Sequence, residues 1–306
     1  LAEFTGYPRV LLFTSGWAAN LGVLRALLGR GDLLVAEELN HASLIDGGRL
    51  SGAQYRRVPH GQTAAFDHAL TGADTDQFLQ GLVTNDIGGL SNGLVYAALL
   101  TPQGKYIADF FLLRDDGGIL LDADAEQAPA LQTRLGMYKL RADVAISPTD
   151  LHLHRGLDDS PPDGHTDPRA SALGWRAYRD KPQTGDKTDW TALRVAHGIP
   201  AAGIELTEDS YILENRFEHL NGVDFRKGCY VGQEVTARMK HKTDLRKGLA
   251  RVTIAGAAPV GTPITRDGRA VGTLYSQAGT QALAYLRLDR AGEDMIAGDA
   301  RITYSP

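Results

Sequence analysis

The sequence predicts an α+β fold: antiparallel sheets with helices, a small β-barrel at the C-terminal end and a βαβ fragment at the N-terminal end. Three observations predict it. Residues 93–124 hold three apolar runs, "GLVYAALLT", "YIADFFLLR" and "GGILLDAD", joined by "TPQG" and "RDDGG". Turn residues between short apolar runs indicate strands linked antiparallel. From Lys247 the chain changes to short β-rich runs with glycine turns, "GLARVTI", "GTPITRDGRAVGTLYS", "ALAYLRLD" and "ARITYSP", which suit a small barrel or sandwich. Residues 1–60 follow a different, βαβ rhythm.

Taken in order, "RVLLFTSG" (Arg9–Gly16) is a short apolar run of the kind that forms a buried parallel strand. The segment Trp17–Asp32 carries Leu21, Leu24, Leu27 and Leu28 at helical spacing, with Gly29 and Gly31 at its end. A second strand at Leu33–Ala36, a loop and a helix start follow. Two parallel strands make no domain, because both faces and both edges still need cover. Residues 61–71 read as a seam between this segment and the rest. The run "QAPALQTRLGMYKLRADV" reads as a helix leading into a strand. "RGLDDSPPDGHTDPRAS" (Arg155–Ser171) is rich in Pro, Asp and Gly, and reads as a surface loop. "DWTALRVAHGIPAAG" (Asp189–Gly203) is a helix that breaks at Gly198 and Pro200. No internal repeat stands out.

Composition narrows the function classes. The 306 residues are 43% hydrophobic and 23% charged, with a formal net charge of −5. Charge alone advertises no bulk nucleic-acid or membrane binding. No apolar run reaches the ~18 residues of a membrane-spanning helix, so no membrane association is expected. The single cysteine excludes an internal disulfide framework and cannot alone build a zinc or iron–sulfur site. A reducing, cytoplasmic setting is expected.

That cysteine, Cys229, lies in "RKGCYVGQEVTAR" (Arg226–Arg238). Arg226 and Lys227 can lower a thiol pKa. Gly228 and Gly232 let a ligand or another backbone come close. Gln233 and Glu234 can hydrogen-bond a polar ring. The plain alternative is a small, buried, inert cysteine. Asn85 and Asp86 in "VTNDI" either cap the next turn or turn a carboxylate into a cavity. Trp190, near a helix start, is either core or a ligand platform. The basic run Arg238–Lys247, "RMKHKTDLRK" with His241, is either a solvated face or an anion contact.

"FRKGCYVGQEVTAR", preceded by "LEN" (Leu213–Asn215), resembles the signature of the YgfZ family. These are folate-binding proteins related to the T-protein (aminomethyltransferase) of glycine cleavage, implicated in iron–sulfur protein maturation and tRNA modification. The resemblance runs from Phe66 to Pro306. It includes "TGADTDQFLQGLVTNDI", "LLTPQGKYIADFFLLR", "DWTALRVAHGIP" and the C-terminal strands. It implies a T-protein-like folate-binding domain at 72–244 and a β-barrel at 245–306. It implies tetrahydrofolate or another reduced folate as cofactor, iron–sulfur client or assembly proteins as partners, and an indirect link to tRNA modification. Carried over residue by residue, it implies a reactive thiol at Cys229 and a folate contact at Trp190. Glu214 would serve as the pterin-binding acid, with Asn85, Asp86, Lys227, Gly228, Gln233 and Arg238 around the ligand. Two departures matter. T-proteins carry two adjacent Asp residues where this chain has Ala108 and Asp109, which argues against the alternative of aminomethyl transfer. A folate-contacting Trp that can precede "TGAD" is missing from "AAFDHAL".

Residues 1–60 resemble 8-amino-7-oxononanoate synthase, a pyridoxal-phosphate enzyme, through "LLFTSGWAANLGVLRALLGRGDLLVAEELNHASLIDGGRLSGA". The resemblance implies a cofactor phosphate near the "TSGW" turn, where Gly16 precedes a helix N-terminus, and a ring-stacking role for His41. The Schiff-base lysine and the carboxylate for the pyridine nitrogen do not follow. Pyridoxal phosphate is therefore not expected, and the chain reads as a chimera or fusion carrying an inactive remnant.

Overall fold

The computed structural model describes residues 13, 16–37, 42–58, 68–242 and 245–305. The chain divides into two compact units, Leu1–Thr63 and Ala64–Pro306. In the first, helix α1 (Gly16–Leu27) leads to strand β1 (Leu33–Glu37), helix α2 (Ala42–Ser51) and strand β2 (Gln54–Val58). β1 and β2 pair in parallel, Leu33 opposite Gln54 and Val35 opposite Arg56. The expected helix and second strand are present. The sequence reading passed over β2, whose "QYRRV" has little apolar content. The run expected as a first strand lies almost wholly outside the described residues.

The second unit opens with β3 (His68–Thr71) and α3 (Thr75–Gln80). A 3-10 turn (Ile87–Asn92) precedes the meander β4 (Val95–Leu100), β5 (Tyr106–Asp115) and β6 (Gly118–Ala123). Helix α4 (Ala128–Lys139) and β7 (Ala145–Pro148) follow, completing a sheet in the order β4-β5-β6-β3-β7. β3 therefore sits inside the sheet, although the sequence reading left it in the seam.

This sheet is covered on both faces, and so its strands read as unbroken apolar runs rather than alternating ones. Leu99, Phe110 and Leu112 face one core with Leu79, Leu121 and Leu131. Tyr96, Leu100 and Phe111 face another with Phe217 and Tyr230. Strand geometry sends neighbours to opposite faces. Thus Ala108, 1% exposed, enters the first core, while Asp109 sits beside Tyr96 on the other side of β5.

The stretch expected as a loop after Arg155 is partly sheet. Strands β8 (His152–Gly156), β9 (His165–Thr166) and β10 (Trp175–Arg179) pair antiparallel in the order β8-β10-β9. The Pro- and Asp-rich composition concealed this, because the ladder joins residues far apart in sequence, such as Arg176 with Arg155 and with His165. Helix α5 (Trp190–His197) begins at Asp189, whose carboxylate accepts from Ala192 N at 2.9 Å. It ends at Gly198 with φ 67°, a left-handed cap that glycine adopts without Cβ strain. Helix α6 (Gln233–Lys242) follows the cysteine loop.

The C-terminal strands close into a barrel, with β11 (Lys247–Ala255), β12 (Pro263–Arg266), β13 (Arg269–Ala278), β14 (Gln281–Arg287), β15 (Met295–Ala297) and β16 (Ala300–Thr303). Its order is β11-β14-β13-β12-β15-β16, so the barrel alternative to a sandwich is the one realised. Val195 of α5 packs on Leu249 and Leu283 of the barrel wall. Among the described residues, no helix is long and apolar enough to cross a membrane.

Candidate functional site

The cysteine loop is stitched to the end of α3 and to β4. Asp224 accepts from the backbone N–H of Arg226 at 2.6 Å and of Lys227 at 3.3 Å, which closes the turn. Its own N–H donates to Thr84 O at 3.1 Å. The buried Thr84 hydroxyl donates to Gly222 O at 2.7 Å and accepts from Ala98 N at 2.8 Å. Asn85 Nδ2 reaches Tyr96 O at 2.8 Å and Asn221 O at 2.6 Å.

One residue in this group is not what the sequence suggested. Lys227 was expected beside the thiol as a charge. Instead it is 7% exposed, and its ammonium donates to Gln80 O at 2.7 Å and Val83 O at 2.5 Å. Burial pushes its pKa down to about 8, with Asp86 and Asp224 pulling the other way. Asp86 is the cap of the 3-10 turn. Its carboxylate accepts from Gly88 N at 3.0 Å and from Gln80 Nε2 at 3.0 Å, so it caps the turn, and it also borders a surface cavity with Gln80, Gly88 and Arg114.

Cys229 itself is an exposed free thiol, not the buried inert residue of the plain alternative. Arg226 and Gly228 are exposed beside it, and a Cβ on Gly228 would meet nothing within 4 Å. Gly232 is different. It has φ 85°, and a Cβ would stand 2.7 Å from Thr101 O and 2.9 Å from Leu100 Cβ. Its missing side chain admits the backbone of the β4–β5 turn rather than a ligand. Gln233 opens α6. Arg238 is exposed and pairs with Glu234 at 2.6 Å along that helix. His241 lies edge-on to Phe225 at 6.5 Å.

A second group, which sequence reasoning largely missed, gathers on the face of β5 and β6. Asp109 accepts from Tyr96 Oη at 2.8 Å and Tyr106 Oη at 2.5 Å. Burial raises its pKa, against the two tyrosines and Arg169, which favour the carboxylate. Arg169 forms a bidentate pair with Asp167, at 3.0 and 2.8 Å, and lies 4.6 Å over the Phe111 ring. Arg176 is 6% exposed and is paired with Asp122, with its guanidinium 4.0 Å over Phe111. Burial opposes the Arg176 charge, yet Asp122, Tyr178 and Asp167 together hold the guanidinium firmly ionised. Its Nε is buried without a hydrogen-bond partner among the described residues.

Trp190 stands at the edge of this group and is not a core residue. It is half-buried, donates to Asp186 at 2.6 Å and has the Arg155 guanidinium 4.2 Å over its ring. Burial, and then repulsion from Arg176, lowers the Arg155 pKa. Gln183 fixes the Arg155 backbone through bonds of 3.0 and 2.7 Å. Next to these lies a cavity of about 680 Å³, lined by Arg155, Asp158, Trp175, Asp186 and Lys187.

Glu214 belongs to a third place, near the barrel. It sits in a 3-10 turn (Leu213–Asn215) and accepts from Tyr285 Oη at 2.6 Å. Hydrogen bonds and charge therefore join Asn85, Asp86 and Lys227 beneath the Cys229 loop, Trp190 with Arg155, and Glu214 with Tyr285. Glu205 was not foreseen. It is 3% exposed and accepts from Arg194 at 2.9 Å, Ala201 N at 2.9 Å and Ser276 N at 3.1 Å, fastening α5 to the barrel. No motif surrounds it, and the barrel partner that gives it its role, Ser276, is 71 residues away in sequence. In the first unit, His41 lies outside the described residues, as do Thr14 and Ser15 of the "TSGW" turn.

Residues 246–306 match the family model "CAF17, C-terminal beta-barrel domain", and residues 1–88 match "Aminotransferase class I and II". The iron–sulfur cluster assembly factor IBA57, mitochondrial, of Mus musculus is 32% identical over 263 residues, covering 71% of this chain and 74% of that protein. The Mycosarcoma maydis homologue is also 32% identical, over 66% of this chain, which spans 58% of that protein's length. The 8-amino-7-oxononanoate synthase of Methylococcus capsulatus is 60% identical over 70 residues, 23% of this chain and 18% of that enzyme. Among solved structures, glycine cleavage system aminomethyltransferase T from Bartonella henselae superposes with a TM-score of 0.60 at 14% identity, over 78% of this chain and 82% of that one. That likeness establishes a T-protein-like fold. The short synthase-like match alongside these marks a chimeric sequence, and the identity shared across most of the mouse protein shows that the chain belongs to the IBA57 family, the CAF17/YgfZ-like group of proteins.

Proposed function

We propose that this chain is a reduced-folate-binding protein that assists the maturation of iron–sulfur proteins, with an indirect effect on tRNA modification. Membership of the IBA57 family supports the assembly role. One observation carries the folate part: Trp190 leaves the core and lies under Arg155 beside a cavity of about 680 Å³. The residues present fit a reduced folate. Trp190 offers an aromatic face, Arg155 and Lys187 offer cations for glutamate carboxylates, and Asp109 offers an acceptor for ring N–H groups. The buried, unpartnered Arg176 Nε has a donor to spare. When bound, the folate would supply one-carbon carrying capacity. The chain's own residues bind it and orient it, and burial holds the Asp109 pKa above the ordinary carboxylate value.

Cys229 is the reactive element of this reading, because it is an exposed thiol on a loop whose backbone is fixed by Asp224 and Lys227. An iron–sulfur cluster is cargo here, held with a partner. Arg238 is a candidate anion contact next to it. An exposed unpaired thiol suits a reducing compartment. We place the chain in the cytoplasm, while noting that its relatives are named as mitochondrial.

Aminomethyl transfer is the second reading, and Asp109 alone favours it. Only one carboxylate of an adjacent pair can face this side of β5, and here that one is present. The pyridoxal-phosphate reading is not carried forward, since the chain offers no lysine segment of that enzyme.

The test is a titration of the chain with tetrahydrofolate, followed by tryptophan fluorescence, in wild type and Trp190→Ala. Saturable quenching that the substitution weakens supports the folate site. A folded chain that shows no saturation overturns it and leaves the assembly role to be tested by complementing cells that lack their IBA57 relative.

A further inference from the structure

We propose that the cavity between the 3-10 turn Leu213–Asn215, the first half of β11 and Tyr304 binds a small organic anion, a phosphate- or carboxylate-bearing molecule with an apolar body. The site stands apart from the Trp190 cavity and shares with the folate reading only Glu214, the acid that the resemblance assigns to the pterin.

Two arginines meet there, and among the described residues no carboxylate pairs with either. Gly198 marks the point. A Cβ on it would overlap the Arg216 guanidinium and stand 3.3 Å from Arg251 Cγ. Arg216 adopts φ 67° to reach this position, a left-handed backbone that non-glycine residues adopt only with strain. Its guanidinium is half-buried and has no hydrogen bond or ion pair among the described residues. Arg251 donates through Nη1 to Ala196 O at 2.6 Å, at the end of the helix, and the rest of its fork has no hydrogen-bond partner among the described residues. Burial and the neighbouring Arg251 both disfavour the Arg216 charge. An arrangement that strains a backbone and sets like charges together makes physical sense when an anion joins them.

The walls agree. The cavity holds about 420 Å³ and, among the described residues, is lined by Arg216, Arg251 and Lys247 against one carboxylate, Glu214. That carboxylate already takes the Tyr285 hydroxyl. The local excess is positive in a chain whose net charge is −5. The volume exceeds that of an inorganic anion, and Leu249 and Tyr304 supply apolar wall for a hydrocarbon or aromatic body.

The experiment is calorimetric titration of the full chain, at constant ionic strength, with phenyl phosphate, phenylacetate, inorganic phosphate and phenol. Phenyl phosphate or phenylacetate is expected to bind saturably, and the tighter of the two identifies the head group. Inorganic phosphate is expected to bind more weakly, and phenol not to bind. Arg216→Ala should weaken the organic anion by about tenfold or more, as for loss of a charge-assisted contact. The same substitution relieves like-charge repulsion, so its Tm without ligand should be unchanged or higher. Gly198→Ala, which keeps both arginines but displaces one, should weaken binding similarly. No saturable heat from any probe, or equal affinity in wild type and Arg216→Ala, overturns the proposal. Tetrahydrofolate quenching should be unchanged in Arg216→Ala, and so failure of one site is distinguishable from failure of the other.

Discussion

Lys227 offers a prediction that can be worked from its surroundings. Its ammonium is buried against two carbonyls, and its pKa falls from 10.5 to about 8, with burial as the leading cause. In the unfolded chain the group titrates at its ordinary value. Below pH 8 both states hold the proton, and the folded state bears the full burial penalty. Between pH 8 and 10.5 the folded state releases the proton while the unfolded state keeps it. Stability therefore rises with pH across this window and levels off above it. The shift corresponds to about 3 kcal/mol at most, taking about 1.4 kcal/mol per pH unit. The two carbonyl bonds favour the ammonium, so about 1–2 kcal/mol is the expected gain. Lys227→Met keeps the aliphatic reach and removes the titration. Urea unfolding of both chains from pH 7 to 10.5, followed by tryptophan fluorescence, isolates the effect, because every other group is common to both. The stability difference, wild type minus Lys227→Met, should climb through the window. A flat difference would refute the claim that burial dominates at this lysine.

Three further outcomes follow from other sites. Glu205→Ala takes the carboxylate from the part-buried Arg194 guanidinium, which keeps its bond to Ile199 O, and leaves the buried Ser276 N–H without its acceptor; it should cost about 3 kcal/mol in urea unfolding, the low end for breaking a buried pair. Gly232→Ala forces a Cβ against Thr101 O. It should cost about 2 kcal/mol or more, from left-handed strain and the displaced turn. Cys229 should take up one equivalent of a thiol-reactive disulfide reagent in the native chain, with no change in far-ultraviolet circular dichroism, since it is an exposed free thiol.

What the sequence made legible depended on how local the cause was. The meander, the barrel and α5 with its Gly198 stop each rest on turns and periodicities within a few residues, and those were readable. Asp86 as a cap was readable for the same reason. The direction of Lys227 was not, because the carbonyls that hold it belong to Gln80 and Val83, far away in the chain. The three-stranded sheet around Trp175 was hidden by the Pro- and Asp-rich link inside it. The Arg155, Arg169 and Arg176 group carries no motif and exists only once β8 and β10 have paired beside β6. Trp190 was singled out by resemblance, and its stacking partner Arg155 lay in the segment read as loop.

The inner position of β3 has a consequence for how the chain assembles. Ala69 pairs with Leu120 on one side and with Ser147 on the other. Its first partner is made about fifty residues later and its second later still, so the strand has no local partner when it leaves the ribosome. Contacts so distant in sequence slow folding and leave backbone groups unpaired in the meantime. The β4–β5–β6 meander can form by itself from neighbouring turns, and β3 then adds to its open edge before β7 completes the sheet. Chain elongation thus sets the order in which this unit is built, and a nascent chain arrested before residue 148 would display an unfinished sheet edge to chaperones.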